Sequence, residues 1–304
     1  MRRRKRLLSF LLVAALFLLT CCSAPPLVLN GKAQEAGKKG IYYDALLTWQ
    51  DCSDATTVEE TVPEVSSDAS ATTQAAATTE APGKWVVKKG KKYYRRANGK
   101  LVKKKLYTVK KKTYYFDQSG EMTTGWMKKK GEYFYMDRTS GVMKSKCTVD
   151  GIKLRKDGTA KQTEYAVAKI RTMITARSIM HANTKTSDSK SQKLKKCFNW
   201  VLKHPYKRYR TLRSVQKKKG WETIFANDVY QKGNGCCVSE ASAFAFLAHE
   251  CGYESYICDD TGHAWSEING RVYDTLFAEA KSYKKYYNSS YRTARLHRVG
   301  KLKI

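Results

Sequence analysis

Apolar residues recur at helical spacing three times in the last half of this chain. They predict helices over 164–180, 190–202 and 221–231. The second carries Leu194, Cys197, Phe198 and Val201 on one stripe and stops at His204-Pro205, because a residue before proline is pushed out of the helical region. A fourth helix follows Cys237, with Val238, Ala241, Phe244, Ala245, Leu247, Ala248 and Cys251 close to a helical period and Gly252 as its stop. Gly233, Asn234 and Gly235 read as a flexible approach to it. The period then changes to two. Residues 255–258, 263–268 and 271–276 alternate, and Asn269-Gly270 between the last two predicts a two-residue type I′ hairpin. Helices followed by strands predict an α+β domain over 162–304, with the helix from Cys237 packed on a small antiparallel sheet.

Upstream, residues 84–161 repeat with a period of about 20. Aromatic pairs recur at Tyr93-Tyr94, Tyr114-Tyr115 and Phe134-Tyr135, followed by Gly99, Gly120 and Gly141, with Gly158 closing the last unit. Each unit alternates like a strand, turns and returns, which predicts stacked β-hairpins. Trp85 and Gly125-Trp126 stand at unit starts. The second unit has Leu106-Tyr107 there, and the fourth has Ile152 and Leu154 in place of an aromatic pair.

Composition adds a compartment and a partner. Residues 1–24 join a basic stretch, Arg2 to Arg6, to an apolar run, Leu7 to Leu19, and then to small residues; this is a secretory signal pattern, too short for an ordinary spanning helix. Leu19-Thr20-Cys21-Cys22 loosely matches a lipoprotein cleavage box, so a lipid anchor and plain secretion both stand. Membrane association is expected only through that signal or anchor. The mature chain is expected outside the cytosol, at the cell surface or wall, with no nucleic-acid partner. Residues 25–50 hold a short aromatic patch, Ile41 to Trp49, with no assigned role. Residues 51–83 are rich in Thr, Ala, Ser, Glu and Asp, which predicts a disordered tether. The whole chain carries a net charge of +31, and residues 84–161 alone hold 24 Lys and Arg against 6 Asp and Glu. Lys103-Lys104-Lys105 and Lys110-Lys111-Lys112 fall beside the expected turns. A polyanion partner follows, teichoic acid or an anionic glycan, bound with steep salt dependence. The plainer reading is that lysines solubilise exposed hairpins and block edge pairing.

The candidate chemistry lies between Gly233 and Asp274. At the N-terminus of its helix, Cys237 meets free backbone N–H groups and the positive end of the helix dipole, which predicts a depressed thiol pKa and an oxyanion site. The Asn-Gly turn sets Ile268 opposite Arg271, Glu267 opposite Val272, Ser266 opposite Tyr273, Trp265 opposite Asp274 and His263 opposite Leu276. His263 and Asp274 are then diagonal neighbours on one face, within reach of a hydrogen bond that fixes the imidazole tautomer. His249 sits twelve residues past Cys237 on the same helix, about 18 Å away by helical rise, so it is excluded as the base for that thiol.

Gly235-x-Cys237-x-x-x-Ala241 at a helix start, His263-Ala264-Trp265 on a strand and Asp274 eleven residues past the histidine resemble the transglutaminase-like cysteine superfamily, its bacterial branch most of all. The resemblance covers Thr163 to Arg292. It implies a papain/transglutaminase-like fold with Cys237 as nucleophile, His263 as general base and acid and Asp274 as orienting carboxylate. It also implies a part for Trp221 beside the Cys237 N–H in holding the oxyanion, a peptide or protein amide substrate, and no cofactor or metal. Hydrolysis and amine transfer share the acyl-enzyme, and hydrolysis is the expectation. Cys236 departs from the pattern by adding a second thiol. Residues 84–161 resemble the cell-wall-binding repeats of Gram-positive surface proteins, which include choline-binding modules. That likeness implies wall contacts by Trp85, Tyr93, Tyr94, Tyr114, Tyr115, Trp126, Phe134 and Tyr135.

Two other readings stand beside this one. The C-terminal domain could be an inert scaffold behind a wall-binding module. Cys236, Cys237, Cys251, Cys258 and His263 could instead form a zinc site, although no C-x-x-C pair exists. Nine cysteines, seven without Cys21 and Cys22, predict mostly free, buried thiols. Tyr286, Tyr287 and Tyr291 are read as core.

Overall fold

Two-residue turns set the hairpins of the repeat segment. The computed structural model describes residues 83–304; the signal segment, the patch at 41–49 and the linker up to residue 82 lie outside the described residues. Four antiparallel pairs follow: β1 (Lys84–Lys88) with β2 (Lys91–Arg95), β3 (Lys105–Val109) with β4 (Lys112–Phe116), β5 (Gly125–Lys129) with β6 (Glu132–Met136), and β7 (Thr148–Val149) with β8 (Ile152–Lys153). Their turns are Lys89-Gly90, Lys110-Lys111, Lys130-Gly131 and Asp150-Gly151, with positive φ at both positions. That geometry matches the right-handed twist of the flanking strands. In the second hairpin two lysines adopt the left-handed conformation that glycine elsewhere adopts more cheaply. Lys110 and Lys111 thus form a turn as expected, whereas Lys103 to Lys105 lead into β3. Successive units are stitched by backbone bonds, as from Met122 N–H to the Lys92 carbonyl (2.7 Å) and from Met143 N–H to the Thr113 carbonyl (2.8 Å).

The array has two kinds of interior. Tyr94, Val102, Tyr114, Phe116 and Met122 form a small core of their own under the first two hairpins. Trp126, Tyr133, Tyr135, Ile152 and Leu154 instead belong to the core of the C-terminal domain. The apolar residues of the fourth unit are thereby explained, since Ile152 and Leu154 cap that core. Trp126 corrects an expectation. It is 1% exposed, its indole N–H donates to Asp150 (2.8 Å), and it cannot touch a wall polymer in this state. Phe134 and Tyr135 are buried as well.

Polar contacts fasten the last hairpins to helix α1 (Glu164–Asn183), which Thr163 caps. Lys169 donates to the Asp150 carbonyl (3.0 Å), Arg171 to the Tyr133 hydroxyl (3.0 Å), and the buried Arg177 guanidinium to the carbonyls of Thr124 and Trp126. Arg138 pairs with the buried Glu250 (2.8 Å).

Helix α2 (Lys190–Val201) starts in a Ser189–Gln192 capping box and buries the expected stripe Leu194, Cys197, Phe198 and Val201. Helix α3 (Trp221–Lys232) ends at Gly233 in the left-handed conformation. Helix α4 (Cys237–Glu250) is buried on nearly every side, as its all-round apolar sequence requires. Hydroxyls lock it in place: Tyr230 donates to the Ala243 carbonyl (2.7 Å), Ser255 to Ala245 (2.8 Å) and Ser266 to Ala241 (2.8 Å). It packs on an antiparallel sheet of order β12-β11-β10-β9-β13, built from β9 (Ser255–Asp259), β10 (Ala264–Ile268), β11 (Arg271–Tyr273), β12 (Tyr287–Ser289) and β13 (Gly300–Lys303). The domain is therefore α+β, with the helix that opens on Cys237 packed on a small sheet. Among the described residues no helix is long and apolar enough to cross a membrane.

The hairpin register follows the expectation for Ile268–Arg271, Glu267–Val272 and Ser266–Tyr273, and Asn269-Gly270 has positive φ at both positions. It then departs. Strand β11 stops at Tyr273, and Asp274 becomes the N-cap of helix α5 (Thr275–Ala280), so His263 and Leu276 do not pair. A side-chain cap for a new helix competes successfully here with continued alternation. The approach to α4 is also not flexible. Gly235 donates to the Pro205 carbonyl (3.3 Å), its own carbonyl accepts from Lys207 (2.8 Å), and a Cβ on it would lie 2.4 Å from the Ser239 side chain. Close packing, not freedom, demands glycine at this position.

Candidate active site

Helix α4 begins with the two adjacent thiols. Cys236 is its N-cap in extended backbone and Cys237 its first residue. The first intrahelical bond runs from Glu240 N–H to the Cys236 carbonyl (2.9 Å), so the N–H groups of residues 237–239 precede the helical ladder and are available to an anion. Both thiols are buried, Cys236 at 3% exposure and Cys237 at 8%.

The expected depression of the Cys237 pKa is not what this arrangement produces. The neighbouring Cys236 thiol, together with burial, pushes Cys237 up. Cys236 is held down at about 5, first by the Cys237 thiol and then by the Ser239 backbone, against the cost of burial. Ser239 Oγ lies 3.6 Å from Cys236 Sγ and donates to Asp228 (3.2 Å), which Arg210 and Lys232 also hold. Two adjacent buried thiols that interact this strongly titrate as a pair rather than singly.

His263 and Asp274 meet as the register argument required, although through a cap rather than a strand pair. His263 Nε2 lies 2.6 Å from Asp274 Oδ2, with side chains 12% and 1% exposed. Asp274 Oδ1 accepts from Phe277 N–H (3.0 Å), so the carboxylate caps α5 and orients the histidine at once. The imidazole lies flat on Phe277, with ring centroids 3.9 Å apart and planes 10° apart. Tyr286 packs on Phe277 in turn (5.2 Å), so this tail tyrosine is core and also supports the histidine's platform. With Nε2 given to Asp274, Nδ1 is the nitrogen left to exchange a proton. The backbone of Ala264, which opens β10 next to His263, opposes the rise in the Cys237 pKa, and no hydrogen bond joins His263 to Cys237 among the described residues.

Trp221 packs edge-on against Phe225 (5.9 Å) at the start of α3, and no hydrogen bond or ring contact joins it to Cys237 among the described residues. His249 faces Asp150 at 3.3 Å, at the far end of α4, which agrees with its exclusion. Cys197 and Cys251 approach to 3.8 Å between sulfurs, and all six described cysteines are free. No group of three or more His, Cys, Asp or Glu among the described residues is placed to hold a metal ion.

Sequence reading missed Glu240. It lies one turn past Cys237, is 2% exposed, and neither carboxyl oxygen has a hydrogen-bond partner. Burial pushes its pKa up to about 8; Asp274, Glu279 and Cys236 add to the rise while the Thr275 hydroxyl opposes it. Asp228 was missed as well. In both cases the available signal was an acidic residue on the apolar face of a helix.

On the repeats, the partly exposed Trp85 (40%) meets Tyr94 and Tyr114 edge-on, with centroids 5.3 and 4.9 Å away. Tyr93 and Tyr115 are half-buried. Tyr94 and Tyr114 are themselves buried, at 6% and 8%, so it is Trp85 alone that contrasts with the sealed Trp126.

Comparison with known proteins bears on the repeats. A family model described as choline-binding repeat matches residues 103–146, the second and third hairpins. The chain is similar to choline binding protein F from Streptococcus pneumoniae at 31% identity over 27% of this chain and 27% of that one, with a TM-score of 0.25. It is similar to the choline binding domain of Spr1274 in Streptococcus pneumoniae at 23% identity over 29% of this chain and 99% of that domain, with a TM-score of 0.24. It is also similar to the modular Cpl-1 endolysin complexed with a peptidoglycan analogue, at 24% identity over 27% of this chain and 25% of that one, with a TM-score of 0.25. The chain thus spans about a quarter of the length of choline binding protein F. No curated protein matches it. Residues 103–146 carry choline-binding repeats, and with them the cell-wall-binding type of segment that the aromatic and glycine spacing suggested.

Proposed function

We propose that this protein is a surface-held cysteine acyl-transfer enzyme whose repeats keep it on a cell-wall polymer. The observation that carries the enzymatic part is the His263–Asp274 bond at 2.6 Å beside a helix that opens on Cys237. His263 Nδ1 takes the Cys237 proton as sulfur bonds to an acyl carbon, and backbone N–H groups at the start of α4 hold the oxyanion. The imidazolium returns that proton to the departing amine as the C–N bond breaks. Water then releases the acid, and hydrolysis is the favoured second half; an amine in place of water gives a transglutaminase. Neighbouring Cys236 carries the resting negative charge of the thiol pair. On this reading Cys237 is a thiol activated by its base, not a standing thiolate.

For the repeats, the exposed Trp85 ring, backed by the buried Tyr94 and Tyr114, supplies a face for a quaternary ammonium group, and the lysine-bearing turns supply charge for phosphate or carboxylate. A choline-bearing, phosphate-linked wall polymer satisfies both. The protein then resides outside the cell at the wall. A second reading, wall binding with an inert C-terminal domain, is favoured by one observation: among the described residues no hydrogen bond joins His263 to Cys237.

Iodoacetamide labelling from pH 4 to 9, resolved by peptide mass spectrometry, separates the two. The enzyme reading expects labelling of the pair already at acidic pH, and a slower or shifted profile at Cys237 in His263→Ala. Labelling of both thiols only near the free-thiol pKa of about 8.5, unchanged in the variant, leaves the inert scaffold.

A further inference from the structure

The segment between α2 and α3 has no regular secondary structure, yet it is tied to the nucleophile. Residues 205–219 contain seven Lys and Arg and no Asp or Glu. Tyr206 forms a parallel bridge with Gly235, two residues before Cys237, and the Pro205 carbonyl and Lys207 N–H flank the bridge with hydrogen bonds of 3.3 and 2.8 Å. The chain at 205–207 is therefore an extra edge beside the loop that presents both thiols. Its side chains are outside: Tyr206 is 48% and Tyr209 37% exposed, and Lys207 and Arg208 are exposed between them.

These side chains are ordered by one another. Arg208 donates to the Tyr206 hydroxyl (3.1 Å), Tyr209 hydrogen-bonds Asn234, and Lys232 lies over the Tyr209 ring at 4.0 Å. The Tyr206 hydroxyl raises the Arg208 pKa, so the guanidinium on this edge stays charged. An ordinary solvated charge run would need neither the bridge nor the aromatic scaffold. A planar guanidinium and an ammonium on a fixed edge suit carboxylate recognition.

We propose that the edge formed by Tyr206, Lys207, Arg208 and Tyr209 selects an acidic acyl donor, a peptide carrying carboxylate groups beside the scissile amide. The inference deepens the acyl-transfer reading and rests on it. Backbone of the donor runs along 205–207, its carboxylates meet Lys207 and Arg208, and its acyl carbon comes to Cys237.

The test compares anionic iodoacetate with neutral iodoacetamide at pH 6 on the full chain, with peptide mass spectrometry of the 236–237 pair. Glutathione serves as the free-thiol reference. The expected iodoacetate-to-iodoacetamide ratio exceeds that of the reference at low salt and collapses in 0.5 M NaCl. It falls roughly threefold for each charge removed in Lys207→Ala and Arg208→Ala, and further in Arg208→Glu. A peptide amide with Glu beside the scissile bond should correspondingly outrun its Gln isostere in kcat/KM, and Arg208→Glu should erase that preference. Fast iodoacetamide labelling at acidic pH, with a ratio unmoved by salt or by these variants, overturns the acidic-donor inference and leaves the enzyme reading intact. Slow labelling by both reagents overturns the enzyme reading, and the inference falls with it.

Discussion

The hairpin array and the C-terminal domain bury different things. Under the first two hairpins the interior is aromatic and aliphatic, and the charges stand on the turns. Around the N-terminus of α4, by contrast, Ser239, Glu240, Ser242 and Asp274 are all at or below 2% exposure, alongside two thiols. Burying such groups costs free energy that apolar packing has to offset. A fold that needed only stability would not gather them at one helix end. On the proposed reading, the surface of the array binds and the interior of the domain does chemistry.

Removing the base should give the largest effect. His263→Gln, whose amide can still donate to the buried Asp274, is expected to lower acyl transfer by about a thousandfold or more while Tm moves little. An activity loss matched by unfolding would instead make His263 a core residue.

Next comes the seam between the two regions. Arg138→Met leaves Glu250 buried without its closest partner, and the urea midpoint should fall by the equivalent of about 3 kcal/mol. Independent modules joined by a loose connection would show no such loss.

Glu240 gives a smaller effect with a definite sign. Its folded pKa of about 8 stands above its ordinary 4.5, so the native state keeps a proton that the unfolded chain has released between those values. Its stabilising share is full below about pH 4.5 and is lost as pH rises through 8. Glu240→Gln keeps a neutral side chain, so Tm between pH 5 and 8 should decline less steeply than in the wild type. Parallel slopes would mean that Glu240 is ionised in the folded protein.

Trp85→Ala is the mildest test. It should weaken binding to choline-bearing wall polymer by roughly fivefold, in the range of a partly exposed cation–π contact, and leave Tm unchanged. An equal effect from Trp126→Phe without loss of stability would break the contrast between the open and the sealed tryptophan.

Much of this was legible in the sequence because local signals were strong. The starts of α1, α2, α3 and α4 stood at caps or glycines, and Asn269-Gly270 fixed three residue pairs. Other features depended on what lies next in space. Trp85 and Trp126 occupy equivalent places in their units, but the neighbours of Trp126 are α1 and the fourth hairpin, so one is open and the other sealed. Thr275 and Leu276 alternate like a strand; only the bond from Phe277 N–H to Asp274 turns them into a helix. Residues 205–219 read as punctuation after a proline, because no local pattern announces a single bridge to Gly235.

The central claim is that Cys237, with His263 behind it, forms an acyl-enzyme. The direct measurement is peptide mass spectrometry after brief exposure of the full chain to an activated ester of a Glu-containing peptide, quenched in acid. The account predicts the acyl mass on Cys237, absent from Cys236 and lost in His263→Ala. An acyl group found on Cys236 alone, or equal acylation with and without His263, would contradict it.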